Sequence, residues 1–421
     1  MLDKGPASDE SPKKLDERLL LFVLSAIQFT AVVDFLIILP LGPQYMRVFS
    51  IGTRQFGVIV SSYAISAGIS GVLAGFFLDR FDRKRALLGL YLGFTIGTLF
   101  CALAPTYHLL VAARAVAGAF GGVVGALILA IVGDVIPEVR RGAAMGLVMS
   151  SFSVASICGV PIGLMLASHI NWHVPFFVLA GLSFIVLLAA ARVLPALTGH
   201  LARAREEHPV AQTLAVLSHT DHQMAFLFMA LLTFTGFVVF PNIANYMVMN
   251  VGLTEKQLPL IYLAGGLCTV VSMNWIGRWA DRSGKLRVFV LMSLSATIPL
   301  LAITNLPRVH LLIAVGTSTL LMICMSGRMV PAMAMMTASI EARYRGGFMS
   351  INSSVQQFAA GLAALVSGSI MDRTPTGELT RFPIIGALSV VCALICIYLA
   401  KFLKSAEKPV TTTVNALPAE G

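Results

Sequence analysis

The chain has 421 residues, of which 57% are hydrophobic and 12% are charged, and its mean hydropathy is +0.85. A soluble domain carries about a quarter charged residues, so this composition excludes a soluble globular protein. The net charge of +10 does not indicate a nucleic-acid partner, because Lys and Arg collect in every second loop between apolar runs.

Apolar runs of about 20 residues recur along the whole chain, and each is long enough to cross a bilayer as a helix. The runs do not alternate as barrel strands would, and backbone groups in lipid must bond internally. We therefore predict an all-α membrane protein with twelve transmembrane helices, numbered here as spans 1 to 12. Their predicted limits are 19–42, 56–78, 86–105, 108–133, 143–168, 174–195, 223–249, 258–279, 288–305, 309–336, 347–371 and 382–403.

The basic residues predict an orientation. Loops that follow spans 2, 4, 6, 8 and 10 are rich in Lys and Arg, whereas the intervening loops carry few. Positively charged loops stay in the cytoplasm, so we expect both termini there and the protein in the inner (plasma) membrane. The residues that carry this asymmetry include Arg80, Arg83, Arg140, Arg141, Arg203, Arg278, Arg282, Arg343 and Lys401.

A polar stretch separates the first six spans from the last six. We expect two six-helix halves joined by a cytoplasmic linker, with polar tails at both ends and a disordered C-terminal tail. The expected divisions are a tail at 1–18, an N-terminal half at 19–197, a linker at 198–222, a C-terminal half at 223–404 and a tail at 405–421.

A charged motif occurs twice, at 75–85 between spans 2 and 3 and at 277–287 between spans 8 and 9, about half the chain apart. Duplication on this scale is typical of secondary transporters built from two similar halves. The glycine at the start of each copy would let a helix end approach a neighbour. Asp79 and Asp281 would face the positive N-terminus of another helix, while the cations contact lipid head groups or neighbouring carboxylates. The simpler interpretation is that these charges only hold the loops inside.

Three ionisable residues lie inside predicted spans, where each costs roughly 2.5–3.5 kcal/mol at a helix centre. Asp34 of span 1 and Arg114 of span 4 lie at similar depths, ~12 Å and ~9 Å from the outer ends of their helices. We predict that they pair. The pair is either a proton-coupling site, in which the carboxylate alternates between Arg114 and a proton, or a permanent structural ion pair.

Arg328 lies deeper, in the inner half of span 10, and no acid occurs in the apolar interior of spans 7 to 12. Three interpretations stay open: it contacts an anionic substrate group, it contacts the carbonyls at a helix C-terminus, or it snorkels to the inner surface. Other candidates for the wall of a substrate cavity are Phe35, Asn242, Asn245 and Gln356.

The two charged motifs resemble the loop signature of the major facilitator superfamily, G-x-x-x-D-[RK]-x-G-[RK]-x-[RK]. The second copy matches in full, whereas the first has Asp82 where the signature has glycine. Arg114 and Gly118 resemble the fourth-span R-x-x-x-G motif. The sequence Gly159-Val160-Pro161-Ile162-Gly163 resembles the fifth-span motif of the twelve-span drug:proton antiporter group, which includes sugar-efflux and arabinose-efflux-like permeases.

This resemblance implies the major facilitator fold, with two pseudo-symmetric halves of six helices that rock about a central site. It also implies that spans 1 and 4 line the cavity and that the fifth-span motif Gly159, Pro161 and Gly163 forms a leak-tight interface. The loop motifs would latch the halves in one state through Gly75, Asp79, Arg80, Arg83, Gly277, Asp281, Arg282, Gly284 and Lys285. By itself, Pro161 predicts a kink in span 5.

The function that we predict is secondary active transport, with proton-coupled efflux of small organic molecules such as drug-like compounds or sugars. The alternative is a proton symporter or uniporter that takes up a sugar or another metabolite. A membrane-embedded enzyme is disfavoured, because no His lies well inside a span and no nucleophile has a base beside it. We expect no cofactor and no metal. The expected partners are a small-molecule substrate, protons and membrane lipids, with no nucleic acid, and the protein is expected to be a monomer.

Overall fold

The structure is a computed structural model, and it describes residues 16–195, 197, 216–341 and 344–403. The C-terminal tail, most of the linker and most of the N-terminal tail that the sequence predicts lie outside these residues. The helices of the first half are Glu17–Ile37, Gly42–Val48, Thr53–Phe77, Arg83–Leu103, Tyr107–Val135, Glu138–Val154, Val160–His169 and His173–Val193. Those of the second half are Thr220–Phe237, Phe240–Met249, Leu258–Ser283, Lys285–Thr304, Leu311–Ala338, Arg345–Ile370 and Phe382–Ala400.

The all-α membrane architecture with twelve spanning helices is confirmed. Eleven helical segments in the described residues are long and apolar enough to cross a membrane. Span 11 is the helix Arg345–Ile370, whose 26 residues reach ~39 Å at the usual rise per residue. Its hydropathy is lower because polar side chains occur along it, including Ser350, Asn352, Ser353, Ser354, Gln356 and Gln357.

Several predicted span limits are wrong because the helices are interrupted. Span 1 ends at Ile37 rather than at 42, and a separate short helix, Gly42–Val48, follows it. The depth predicted for Asp34 therefore does not hold, since the helix ends three residues after it. Span 7 breaks between Phe237 and Phe240. A small β-hairpin lies between spans 11 and 12 and was not predicted. Its strands, β1 (Asp372–Arg373) and β2 (Leu379–Thr380), have two residues each.

The helix ends define two faces of the bundle. We call the side with the loops 78–82, 136–137 and 283–285 the basic face, and the other side the opposite face. The largest apolar core lies at the opposite face and contains residues from both halves, from Ile37 to Ile385. Two further cores lie toward the basic face. One is built from residues of the first half and the other from residues of the second half.

The two halves contact each other mainly through spans 2 and 11, and glycines bring these helices together. A Cβ at Gly57 would lie 2.6 Å from the carbonyl oxygen of Ala364, and a Cβ at Gly368 would lie 2.6 Å from that of Thr53. The Thr53 hydroxyl also bonds to the carbonyl oxygens of Gly368 and Met371, at 3.1 Å and 2.9 Å. Small residues allow such close backbone approach between membrane helices.

Spans 5 and 8 form the second junction between the halves. The part of span 5 nearer the opposite face, including the turn at Ala155–Gly159, packs on the helix Leu258–Ser283. Arg47 and Glu255 form an ion pair between the halves at the opposite face. The halves are thus closed together at the opposite face, while each keeps its own core at the basic face.

We expect Gly57→Ala to weaken the junction of spans 2 and 11, because the added methyl group meets a backbone oxygen that cannot move aside. Overpacking of this kind costs about 1–3 kcal/mol, so the apparent melting temperature of the purified protein should fall. Gly181→Ala is the matched control, since no atom lies within 4 Å of a Cβ there. Equal melting temperatures for the two variants would contradict the close junction.

Candidate functional site

Asp34 and Arg114 form an ion pair inside the first half. Nη1 of Arg114 donates to Oδ2 of Asp34 at 2.8 Å and to the backbone oxygen of Asp34 at 3.2 Å. Thr98 of span 3 donates its hydroxyl to Oδ1 of Asp34 at 3.1 Å. Both charged side chains have no exposed surface. The sequence therefore brings together a carboxylate, a guanidinium and a hydroxyl from spans 1, 4 and 3.

Tyr63 of span 2 covers the guanidinium, whose central carbon lies 4.4 Å from the centre of the tyrosine ring. The glycines of span 4 make this possible. A Cβ at Gly118 would lie 2.3 Å from the backbone oxygen of Tyr63, and one at Gly121 would lie 2.6 Å from its hydroxyl. The R-x-x-x-G spacing thus has a local reason here: Gly118 lies about one turn after Arg114 and admits the residue that covers it.

The two charges of the pair are buried and have few other polar partners. Asp34 is the only buried carboxylate among the residues that the structure describes. Nε and Nη2 of Arg114 are buried without a hydrogen-bond partner. Removing one member of such a pair leaves an uncompensated charge in an apolar surrounding. The arrangement can hold one negative charge tightly, and protonation of Asp34 would release Arg114 from it.

Span 5 packs against span 1 on both sides of Asp34. A Cβ at Gly159 would lie 2.3 Å from the side chain of Val33, and one at Gly163 would lie 2.0 Å from that of Ile37. The kink expected at Pro161 takes the form of a π turn at Ala155–Gly159, in which the Val160 N–H bonds to the oxygen of Ala155. Such wide turns are a usual way for a helix to accommodate an interrupted hydrogen-bond ladder.

Arg328 does not snorkel to the surface, so that interpretation is wrong. Its side chain is buried and donates through Nη2 to the hydroxyl of Thr235. Thr235 lies in the last turn of the helix Thr220–Phe237, where the carbonyl end of a helix favours a cation. In the first half Thr30 follows Phe29 in span 1 as Thr235 follows Phe234 in span 7, but Thr30 bonds instead to the hydroxyl of Tyr91 at 2.8 Å.

The candidates for the substrate cavity differ in burial and in their contacts. Asn242 and Asn245 are buried in the closure at the opposite face. The amide of Asn242 donates to Ser367 of span 11 at 2.8 Å, and Asn245 lies against Gly42 of the first half. The other two, Phe35 and Gln356, are half-buried.

The two loop motifs differ in the structure. In the second copy Gly284 has a φ of +94°, which requires glycine. In the first copy Asp82 has a φ of −56°, so the left-handed turn that the signature implies is not made. Asp82 instead caps span 3, because its Oδ1 accepts from Lys84 N at 3.1 Å and from Leu197 N at 3.0 Å.

Neither motif glycine is closely approached in this structure, contrary to expectation. A Cβ at Gly75 would meet no atom within 4 Å, and one at Gly277 would only touch Val330 at 3.7 Å. Among the described residues, the apolar cores toward the basic face each belong to one half. Asp281 is exposed, and the side chain of Asp79 lies outside the described part of the structure. The cations Arg80, Arg282 and Lys285 lie at the basic face, and Arg83 pairs with Asp134 at 2.5 Å.

Sequence reasoning missed two partners of the ion pair, Thr98 and Tyr63. A signal for Thr98 was available, because Tyr91, Thr95 and Thr98 recur at helical spacing and so share one face of span 3. All three are buried. The ion pair between Arg47 and Glu255 was also missed, since loop charges far apart in the sequence give no sign of their contact.

We expect Arg114→Ala to destabilise the protein strongly, because it leaves the Asp34 carboxylate buried and unpaired. Breaking a buried pair costs about 3–5 kcal/mol. The double variant Asp34→Asn/Arg114→Ala should recover much of the lost melting temperature. Arg308→Ala is the control, since its partner Glu378 and Arg308 itself are largely exposed and such pairs contribute about 0–1 kcal/mol. A double variant no more stable than Arg114→Ala would contradict the pairing.

Comparison with known proteins extends over nearly all of the chain. It is 25% identical over 367 residues to the uncharacterized MFS-type transporter YceJ of Bacillus subtilis (strain 168), covering 86% of this chain and 92% of YceJ. It is 26% identical over 386 residues to the inner membrane transport protein YdhP of Escherichia coli (strain K12), covering 89% and 93%.

Two solved structures share the fold. One is a bacterial homolog of the human lysosomal transporter Spinster, in an inward-facing and occupied conformation, with a TM-score of 0.70, 15% identity and coverage of 93% of this chain and 97% of that one. The other is a D-xylose–proton symporter, with a TM-score of 0.73, 14% identity and coverage of 90% and 97%. The Major Facilitator Superfamily profile matches residues 24–267 and 224–419, and the chain belongs to this family of transporters.

Proposed function

We propose that this transporter is a proton-coupled exporter of small organic molecules, drug-like compounds or sugars, and that it works by alternating access. The observation that carries the proposal is the buried pair of Asp34 and Arg114. An ionisable residue inside a membrane bundle is by default functional, since it is costly to keep there. A carboxylate whose partner can be exchanged for a proton is suited to couple proton movement to a conformational change.

The arrangement of the cores supports alternating access. The core at the opposite face joins the halves, and each half has its own core at the basic face. This is the arrangement of a transporter whose central region communicates with the basic face. Rocking of the halves about the junctions of spans 2 with 11 and 5 with 8 would produce the other state.

The distribution of Lys and Arg supports the orientation. The basic face would lie in the cytoplasm, with both termini and the linker, and the protein would reside in the plasma membrane. A cytoplasmic substrate would then enter from the basic face and leave at the opposite face. In this state Asp34 is paired with Arg114, as expected for a deprotonated carboxylate.

The substrate would bind between the halves. Phe35 of span 1 and Gln356 of span 11 are half-buried, and we retain them as wall residues of the central site. Asn242 and Asn245 would become accessible when the opposite face opens, because they now seal it. Arg328 would attract an anionic group of the substrate. The loop motifs would act as latches in the state closed at the basic face, in which Asp281 finds a partner.

We expect Asp34→Asn to abolish transport driven by a pH gradient while leaving exchange of substrate down its own gradient partly intact, because the amide mimics the protonated acid. The assay is proton flux into proteoliposomes, measured with an enclosed pH dye while a panel of drug-like compounds and sugars is tested under an imposed gradient. The control is Glu378→Gln, which removes a carboxylate that pairs with Arg308 outside the two loop motifs. Substrate-coupled flux that is unchanged in Asp34→Asn would remove Asp34 from the mechanism.

The same assay separates export from uptake, because an antiporter and a symporter respond to opposite directions of the imposed gradient. Accumulation of substrate on the side that protons leave supports export by antiport. Movement of substrate in the same direction as the protons would establish the symporter alternative instead.

We expect a cysteine at 170 to react with a membrane-impermeant reagent added to whole cells, and a cysteine at 200 to react only after the cells are opened. Ile170 is exposed at the opposite face, and His200 belongs to the linker. The substitutions Ile170→Cys and His200→Cys would be made separately in a cysteine-free background. Reversed labelling would overturn the orientation and the direction of transport with it.

A further inference from the structure

A row of aromatic side chains connects the ion pair to the other half of the protein. The centres of the Tyr63 and Phe35 rings lie 5.3 Å apart, and those of Phe35 and Phe237 lie 5.7 Å apart. At the other end the Tyr63 ring covers Arg114 at 4.4 Å. Among the described residues, Phe35 and Phe237 are the only aromatic pair that joins the two halves. The row therefore runs from the second half to the guanidinium.

Tyr63 is held in a fixed position over the guanidinium. It is only 3% exposed, and its backbone and hydroxyl contact span 4 where Gly118 and Gly121 leave room. The Nε and Nη2 atoms of Arg114 have no hydrogen-bond partner. The guanidinium is thus held by Asp34 and by the face of the Tyr63 ring, an interaction that is stronger when it is shielded from water.

Phe237 lies at a point where span 7 changes direction. The helix Thr220–Phe237 ends at this residue, and the next helix begins at Phe240, whose ring lies 6.5 Å from that of Phe237. The segment after the break carries Asn242 and Asn245 in the closure at the opposite face. Opening that face would move this segment, and with it the adjoining Phe237, away from the first half, so that Phe237 and Phe35 would separate.

We infer that Tyr63 is a positioning residue of the proton-coupling pair, and that Phe35 and Phe237 transmit the movement of the second half to it. When the halves are closed at the opposite face, Phe237 supports Phe35, and Phe35 supports the Tyr63 ring over Arg114. When span 7 withdraws, the ring is free to leave the guanidinium, and water reaches Asp34 and Arg114. The inference rests on the proposed function, since it assigns a trigger to the coupling pair.

Withdrawal of the row would let water reach a pair that has no exposed surface in the state described here. The row differs from ordinary aromatic packing in its two ends. One end covers the Arg114 guanidinium, and the other end makes a contact between the halves. Rigid interfaces of this kind have discrete arrangements and so convert a small displacement into a switch.

The test measures the conformational equilibrium directly and needs no substrate. Spin labels are attached to cysteines that replace Val139 and Leu286, two exposed residues at the basic face of the first and second half. The full-length, otherwise cysteine-free protein is reconstituted in lipid, and the distance between the labels is measured in acidic and alkaline buffer. We expect two distance populations whose ratio changes with pH by about 5- to 150-fold, the usual range for coupled sites.

Four variants separate the inference from the function on which it rests. Asp34→Asn should remove the pH dependence, and a pH dependence that survives it would overturn the proposed function and the inference together. If Asp34→Asn behaves as expected, Tyr63→Leu and Phe237→Leu should also make the ratio insensitive to pH, because the pair is no longer connected to span 7. Tyr63→Phe keeps the ring and should retain the response of the parent protein.

Phe184→Leu is the matched control, since this phenylalanine is half-exposed on span 6 away from the row. It should leave the response unchanged. Every variant used should be monodisperse on gel filtration. A full pH response in both Tyr63→Leu and Phe237→Leu would overturn the inference while leaving the role of Asp34 in place. Loss of the response in Tyr63→Phe would also overturn it, because the ring and not the hydroxyl covers Arg114.

A second measurement follows water access to the pair. Thr98→Cys places a thiol beside Asp34 at a position with no exposed surface. In alkaline buffer its reaction with N-ethylmaleimide should be slow in the parent protein and in Phe184→Leu, and about tenfold faster in Phe237→Leu, as when the free energy of opening falls by ~1.4 kcal/mol. Equal rates of reaction with N-ethylmaleimide in Phe184→Leu and Phe237→Leu would show that the aromatic row does not shield the pair.

Discussion

The ion pair of Asp34 with Arg114 is the interaction on which the first half of this protein depends. Two charges within a membrane bundle are tolerated only if each has a partner, and together they must still be shielded from lipid. Spans 1, 2, 3 and 4 all contribute to this, with Thr98 on one carboxylate oxygen and Tyr63 over the guanidinium. The packing of these four helices therefore also supplies the hydrogen bond and the ring contact that the ion pair needs.

Close approach of helices makes this arrangement possible. Lipid tails are as apolar as leucine, so helices in a bilayer associate through van der Waals packing and hydrogen bonds rather than through exclusion from water. Gly118 admits Tyr63 to span 4, and Gly159 admits Val33 to span 5. The same device joins the two halves at Gly57 and Gly368, where backbone meets backbone. Packing against the ion pair and packing between the halves thus use one physical principle.

The sequence predicted the number of spans, the duplication and the meeting of Asp34 with Arg114. Hydropathy is a property that a sequence carries directly, and an acid and a base inside the spans of one half each need a partner. The pairing holds although the depth predicted for Asp34 does not. It did not predict the break in span 7 or the early end of span 1, since both segments stay apolar through the interruption. The departure at Asp82 was recognised, but the cap was not predicted, because there a side-chain oxygen replaces the backbone conformation that glycine would supply. The partner of Arg328 could not be predicted because it is a hydroxyl of another span, and an uncharged partner gives no opposite charge to look for in the sequence. The roles of these residues stay proposals.

The separation of the apolar cores has a consequence for how substitutions act. Two cores belong to one half each, and the third is shared between the halves at the opposite face. If the halves rock as proposed, a cavity in a core that belongs to one half weakens both states alike, so it lowers the yield of folded protein without favouring either state. A cavity in the shared core would then remove contacts that exist in one state only, and it would shift the resting population. Substitutions that change the transport rate should therefore lie toward the opposite face, and substitutions that change the amount of folded protein should lie toward the basic face.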